Sequence, residues 1–295
     1  MIRARFSQRF RALLSGSGDG VPQWTPLVAA GADAGMFGPE DAPWIVHADI
    51  ATLVGGIRAL LVQAMHPGSL AGVVQHSRYE EDALGRLHGT IRWLTITTFG
   101  ARSAVEDEAA RVRALHERVR GSYVTSAGLQ HRYRASDADL LSWVHMAFTD
   151  AFLAAHLLYG RRTIDADAYV ADWARAAEPL GLTSAPANVG ALRQSMAERR
   201  AELRVDDAAL RVVRFVRGMP FPAAARPVYW LLFQAAVDSL PADYRRLLGL
   251  RALPSPIVRP LVRGMLASMR WLIGDASPME MAALQRRAAL SQRHA

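Results

Sequence analysis

The chain has 295 residues, of which 51% are hydrophobic and 21% are charged. This length and balance exclude a disordered chain and are typical of a globular protein with one large or two small domains. The net charge of +8 comes entirely from arginine, because the sequence contains no lysine. Since the arginines alternate with acids in most segments, we expect no nucleic-acid partner.

The sequence contains no cysteine. This excludes disulfides, thiolate-bound metal and a cysteine nucleophile, so a bound metal would need histidine or oxygen ligands. The motifs of phosphate-binding loops, dinucleotide-binding folds and serine hydrolases are also absent.

Hydrophobic residues recur with helical spacing along almost the whole chain, and strand signals are weak. We predict an all-α protein with a lead-in helix and loop over 1–40 and a single large helical domain over 41–295. The first predicted helix covers 2–14. Those of the domain cover 46–65, 68–75, 83–98, 104–120, 137–159, 165–179, 187–202, 207–217, 224–238, 241–249 and 256–272, with a tail helix over 278–292.

Glycine and proline mark the ends of several predicted helices, at Pro67, Gly100, Gly121 and Gly160. Residues 179–190 form the longest predicted loop and the only plausible internal boundary. No internal repeat or low-complexity tract is present, which favours a single domain.

The N-terminal segment is amphipathic. Arginines lie off the face that carries its apolar residues, Ile2, Phe6, Phe10, Leu13 and Leu14. Such a helix can lie on a membrane surface or pack on the domain, and both alternatives stay open. No secretory signal is evident, and the apolar run 44–66 contains charged residues and reads as a core helix. We expect a cytoplasmic protein in which the N-terminal basic helix is the candidate for peripheral membrane contact.

One histidine lies in the apolar stripe of a strongly charged helix. In the predicted helix 104–120, Val112, Leu115, His116 and Val119 share one face. A buried imidazole there needs a partner, which can be a backbone carbonyl, a side chain, a metal or a haem iron.

A second histidine, His145, lies on an apolar face with Val144 and Phe148. His156 is on the same helix, but 11 residues rise about 16 Å, which is too far for both to bind one metal. No two histidines are spaced i, i+4. Isolated histidines on several helices fit a haem pocket better than a multi-histidine metal site, because haem iron needs only one protein ligand.

Arg86 and Thr90 lie one helical turn apart and face the same way. A guanidinium beside a hydroxyl can orient a carboxylate, a haem propionate or dioxygen. The alternative is a structural salt bridge between Arg86 and the carboxylates at 80–82.

Several motifs, in this order, resemble those of the MpaB/rubber oxygenase family. They are A-L-L-V-Q-A-M-H-P at 59–67, G-V-V-Q-H-S-R-Y-E-E-D at 72–82, G-R-L-H-G-T at 85–90, L-H-E-R-V-R-G at 115–121, Y-R-A-S-D-A-D-L-L-S-W-V-H at 133–145 and L-P-A-D-Y-R-R-L-L-G-L at 240–250. The resemblance spans about residues 40–275.

The resemblance implies an all-helical fold with a globin-like core that holds haem b. It also implies dioxygen-dependent cleavage of an isoprenoid carbon–carbon double bond. By position, His116 resembles the family's proximal iron ligand, and Arg86 and Thr90 resemble its R-x-x-x-T pair. His145 matches the family's W-x-H motif, as a reserve ligand or a residue behind the ligand.

The chain departs from the rubber oxygenases at one pocket position, where Gly89 replaces the lysine that precedes the pocket threonine. The nearest carboxylates for a catalytic base are Glu80 and Glu81. We expect a haem-dependent oxygenase that acts with dioxygen on a small hydrophobic substrate. The alternative is a non-catalytic helical haem- or lipid-binding protein.

Overall fold

The computed structural model describes residues 7–8, 10–12, 15–76, 83–274 and 276–293, with the backbone alone at 83, 84 and 86. This part of the chain is mainly α-helical, which confirms the predicted all-α class. The start of the predicted helix 2–14 lies outside the described residues.

The helices in the first half of the domain carry most of the predicted site positions. They are α1 (Thr25–Ala29), α2 (Ala42–Ala48), α3 (Thr52–Gln63), α4 (Pro67–His76), α5 (Ala83–Phe99) and α6 (Arg102–Arg118). Two short strands follow, β1 (Arg120–Val124) and β2 (Gln130–Arg134).

The second half begins with the longest helix among the described residues. Its helices are α7 (Ala138–Tyr159), α8 (Ala166–Ala174), α9 (Val189–Glu198), α10 (Asp207–Arg217), α11 (Arg226–Ser239), α12 (Ala242–Leu247), α13 (Ser255–Ile273) and α14 (Pro278–Arg293). Short 3-10 turns cover Arg175–Leu180, Arg199–Glu202 and Ala223–Ala225, so the helix predicted over 187–202 tightens after Glu198.

The prediction of one helix over 46–65 was wrong, because α2 and α3 meet at an angle of 95°. Asp49 fixes the bend. Its Oδ1 accepts hydrogen bonds from the amide of Ala51 (2.8 Å) and the guanidinium of Arg270 (2.6 Å), and its Oδ2 accepts one from the amide of Arg161 (3.0 Å). A side chain that binds the next turn's backbone competes with continued helix.

A β-hairpin replaces the end of the predicted helix 104–120. The helix ends at Arg118, and β1 then pairs antiparallel with β2, with Gly121 opposite Tyr133. A Cβ on Gly121 would lie 2.2 Å from Oε1 of Gln75 in α4, so a larger residue there would displace the end of the Gln75 side chain.

Pro67 was predicted to stop a helix, and α3 ends at Gln63 before it; Pro67 itself begins α4. The proline ring fits the first helical turn, where the backbone N–H has no acceptor inside the helix.

The main hydrophobic core lies around α7, which packs most closely against α3. A Cβ on Gly55 of α3 would lie 2.5 Å from Cδ1 of Phe152. The missing side chain therefore lets the two helices approach each other. By length and composition α7 could cross a membrane, as could α2 and α3 taken together, but a mostly buried core helix has the same properties.

A second cluster joins α1, α2, α5 and α14, with Trp44 packed edge-on against Phe99 at 4.8 Å between ring centroids. The buried guanidinium of Arg286 donates to the carbonyl oxygens of Val28 and Phe99. These bonds anchor α14 to the N-terminal part of the chain and to the end of α5.

Candidate functional site

A buried ion cluster joins α5 to α6, which run antiparallel across the short turn at Gly100 and Ala101. The carboxylate of Glu108 accepts hydrogen bonds from Nε of Arg92 (2.9 Å) and from Nη2 and Nε of Arg111 (2.5 and 3.0 Å). Burial alone would raise the pKa of Glu108, but the hydrogen bonds and charges of both arginines outweigh it and hold the pKa below its ordinary value. Glu108 is therefore ionised at neutral pH and sets the register of the hairpin.

The predicted site positions lie beyond this ion cluster on the two helices, on the side away from the turn. Position 86 lies six residues before Arg92, and His116 lies eight residues after Glu108. At 1.5 Å per residue these are axial rises of roughly 9 and 12 Å in the same direction. Thr90 lies between Arg92 and position 86 and is half-buried.

The imidazole of His116 is half-buried and has no hydrogen bond or ion pair with any described residue. Burial lowers its pKa below the usual value, so the ring is neutral at pH 7 and has a free lone pair. This is the state in which an imidazole binds a metal.

The stripe predicted around His116 is not uniformly buried. Leu115 is 46% exposed, and the buried residues of α6 are Val105, Glu108 and Ala109. The last turns of α6 thus leave apolar surface uncovered by the described part of the chain.

The neighbouring stretch of α5 also lacks a buried face. No residue from Leu87 to Thr95 is fully buried, although Ile91, Trp93 and Leu94 are apolar. A Cβ on Gly89 would meet nothing within 4 Å. The described chain therefore leaves room along α5 near Thr90.

His145 lies on α7, where burial lowers its pKa to about 4. Its Nε2 is 3.4 Å from Oγ1 of Thr149, but that hydroxyl donates its hydrogen to the carbonyl oxygen of His145 at 2.7 Å. Nδ1 has no hydrogen bond to a described residue. His145 is thus a second neutral imidazole, and no described hydrogen bond links it to His116 or Thr90.

The fully buried histidines each have a protein partner, although Nδ1 of His156 has none, and Nε2 of the half-buried His88 is also buried without a partner among the described residues. The partners of His47 are Thr98 and Tyr169, those of His66 are Glu202 and the amide of Ser69, and the partner of His156 is the carbonyl of Arg162. Within the described ranges, no three histidine or carboxylate side chains converge as a metal site. The carboxylates at 80–82 and the side chain of Arg86 lie outside the described part, so the predicted alternative salt bridge stays a prediction.

A cleft of about 340 Å³ opens between the N-terminal segment, α2, α5 and the junction of α13 with α14. Its walls are mainly apolar, and α5 contributes Ile91, Thr95 and Phe99. Neither Thr90, His116 nor His145 lines it. Sequence reasoning missed this cleft, because its lining comes from segments far apart in the chain.

One carboxylate in the cleft is only half satisfied. Oε1 of Glu280 accepts a hydrogen bond from Nε1 of Trp44 (3.2 Å), whereas Oε2 is buried without a partner among the described residues. Burial raises the pKa of Glu280. The cleft therefore combines apolar walls with one acceptor that lacks a donor.

The fold and the α5–α6 hairpin define a helical protein whose unpaired imidazole lies beside incompletely covered apolar surface. The chain belongs to the family described as ER-bound oxygenase mpaB/B'/Rubber oxygenase, catalytic domain, which matches residues 44–271. This match confirms the family resemblance, and the family is one of oxygenases. No curated protein and no solved structure matches the chain.

Proposed function

We propose that the chain is a haem b-dependent oxygenase that acts with dioxygen on a small hydrophobic substrate of the isoprenoid type. The observation that carries the proposal is the imidazole of His116, which is half-buried, neutral and without a hydrogen bond to any described residue. A neutral imidazole whose lone pair no described residue uses is the state that binds iron.

The donor set fits haem better than a metal ion held by several side chains. Haem iron needs one protein ligand, which His116 can supply, and the chain has no thiolate to compete. The uncovered face of α5 near Gly89 offers space beside that ligand. We propose that this part of the domain is the globin-like core and that His145 is a reserve ligand.

Haem, when bound, would supply the dioxygen chemistry of the reaction. The protein's part is to hold and orient. His116 fixes the cofactor, and Arg86 and Thr90 supply a cation and a hydroxyl at the same end of the hairpin. Such a pair suits a propionate, or an oxygen atom that gains negative charge during the reaction.

We propose the apolar cleft as the route or site for the substrate, because α5 carries both the Arg86–Thr90 pair and three residues of the cleft wall. A volume of about 340 Å³ fits a small lipophilic molecule. The family description includes an ER-bound oxygenase. For this chain we propose a cytoplasmic location with peripheral membrane contact, and no nucleic-acid partner.

The role of His116 as the iron ligand is tested by absorption spectroscopy of the purified protein after haem reconstitution. We expect a Soret band in the wild type and its loss in His116→Ala, because His116 is the ligand that we propose for the iron in the wild type. His131→Ala is the matched control, since this histidine is exposed on β2, and it should keep the band.

Two outcomes would contradict the proposal. Full haem occupancy in His116→Ala would show that His145 or another residue is the iron ligand. A wild type without a Soret band would show that the protein does not bind haem. Oxygen uptake with an isoprenoid alkene then separates an enzyme from a carrier. A protein that holds haem but consumes no oxygen is the non-catalytic alternative.

A further inference from the structure

The longest apolar stripe exposed by a single described helix lies on α13. Three large side chains are open to solvent, namely Ile257 (52% exposed), Leu261 (52%) and Trp271 (66%). At 100° per residue they fall within an arc of about 80°, and they extend over roughly 21 Å of helix. Pro260, Gly264, Ala267 and Ser268 fill the same exposed face. We define these seven residues as the α13 face.

The charges of α13 are all positive. No acidic residue occurs from Ser255 to Ile273, and the arginines at 259, 263 and 270 lie between the α13 face and the buried side of the helix. Arg259 pairs with Asp238 (2.8 Å) and Arg270 with Asp49 (2.6 Å). Arg263 is exposed and donates to the carbonyl oxygen of Leu158 (3.0 Å), so its charge is available to an external anion.

We propose that the α13 face docks on an anionic lipid surface. An apolar face with tryptophan, a cationic edge and no acids is the pattern of helices that lie in the plane of a membrane interface. The apolar side chains enter the headgroup boundary, while the stem of Arg263 buries and its charged end stays at the phosphates.

The end of α13 connects this face to the substrate cleft. Arg270, Ile273 and Gly274 line the cleft, as do Phe10 and Arg11 of the N-terminal segment. Nη2 of Arg11 donates to the carbonyl oxygen of Ile273 (2.9 Å). A lipophilic molecule dissolved in the bilayer would therefore reach the cleft beside the docked helix. This continuity favours lipid over a second protein as the occupant.

The test is co-sedimentation of the full chain with vesicles of phosphatidylglycerol and phosphatidylcholine, compared with phosphatidylcholine alone. We expect the wild type to bind the anionic vesicles and to bind more weakly as salt rises. Leu261→Ser combined with Trp271→Ser should reduce the partition coefficient by at least about tenfold, because two apolar groups leave the interface. Leu129→Ser is the matched control, since Leu129 is 69% exposed in the hairpin turn.

Three results would overturn the inference. They are a wild type that stays in solution with anionic vesicles, equal binding by the double variant, and an equal loss in Leu129→Ser. A self-association that the double variant abolishes would instead make the face an interface between two copies. Both changes are at exposed positions, and unchanged thermal unfolding checks that the variant is folded. Vesicle binding is measured with and without haem, so its failure leaves the proposed function intact.

Discussion

Among single residues, Glu108 is the carboxylate on which the geometry of the candidate site depends most. Its side chain is 1% exposed and binds two arginines, one on each helix of the hairpin. A buried ion pair is costly to form, and removing one partner leaves the others without compensation. Glu108 thus links α5, which carries Thr90, to α6, which carries His116, without contacting either residue.

We predict that Glu108→Gln lowers the free energy of unfolding by about 3 kcal/mol, since a buried charge partner is lost. The effect should vanish in acid. The folded pKa of Glu108 is below its ordinary value of 4.5, so its contribution is present above pH 4.5 and is lost as the pH falls through the folded pKa. Urea denaturation at neutral and acidic pH measures both the loss of stability in the variant and its disappearance in acid. Glu117→Gln on the exposed side of α6 is the control. An equal loss of unfolding free energy in this variant would show that the buried cluster around Glu108 does not stabilise the protein.

The sequence predicts His116 as the candidate ligand, which stays a prediction, and it does not predict what surrounds that residue. Helical spacing puts His116 on the same face as Val112 and puts Arg86 one turn from Thr90. Spacing cannot show that Leu115 stays exposed, because burial of a helix face depends on which other helices cover it. The partners of a buried imidazole, such as Tyr169 for His47, also come from distant segments.

Among the helices and strands, the contact of α3 with α7 depends on one of two adjacent glycines. A Cβ on Gly55 would meet Phe152 at 2.5 Å from Cδ1 and 3.1 Å from Cα, whereas one on Gly56 would meet nothing within 4 Å. The first glycine is required by packing. The second only weakens the helix.

The two glycines make a matched pair for mutation. We predict that Gly55→Ala destabilises the protein by about 1–3 kcal/mol, because the added methyl overpacks the contact with Phe152. Gly56→Ala should be neutral, or stabilising by up to about 1 kcal/mol, because alanine favours the helix. Thermal unfolding of both variants measures the difference. Equal changes in the two would mean that α3 and α7 do not pack as closely as described.

Two departures from the predicted elements have local physical causes. The apolar run 46–65 continues through Asp49, so periodicity alone predicts one helix, while the bend needs Arg161 and Arg270 from elsewhere in the chain. The strands R-G-S-Y-V and Q-H-R-Y-R are short, polar and rich in arginine, and they lack the alternation that predicts a half-buried strand. Their pairing is decided by the turn and by α4.

In the whole molecule, burial of neutral histidines couples stability to pH. Burial lowers the pKa of His47 to about 3. Burial also lowers the pKa values of His66 and His156, although their hydrogen bonds to Glu202 and to the backbone of Arg162 partly oppose it. An unfolded histidine takes up a proton near pH 6.5, while these folded sites resist it. The unfolded state therefore binds more protons in mild acid, and the native state loses stability there.

We predict that the free energy of unfolding is nearly constant above pH 6.5 and falls as the pH drops from 6.5 toward 3. His47 alone contributes about 1.4 kcal/mol for each pH unit between its two pKa values. His47→Gln removes that proton uptake, so its stability should fall less steeply with acid, whatever it loses at neutral pH from weaker bonds to Thr98 and Tyr169. Chemical denaturation across this range gives the slopes. His131→Gln, at an exposed position, should keep the wild-type slope, and a His47→Gln slope equal to the wild type would show that His47 is protonated equally in both states.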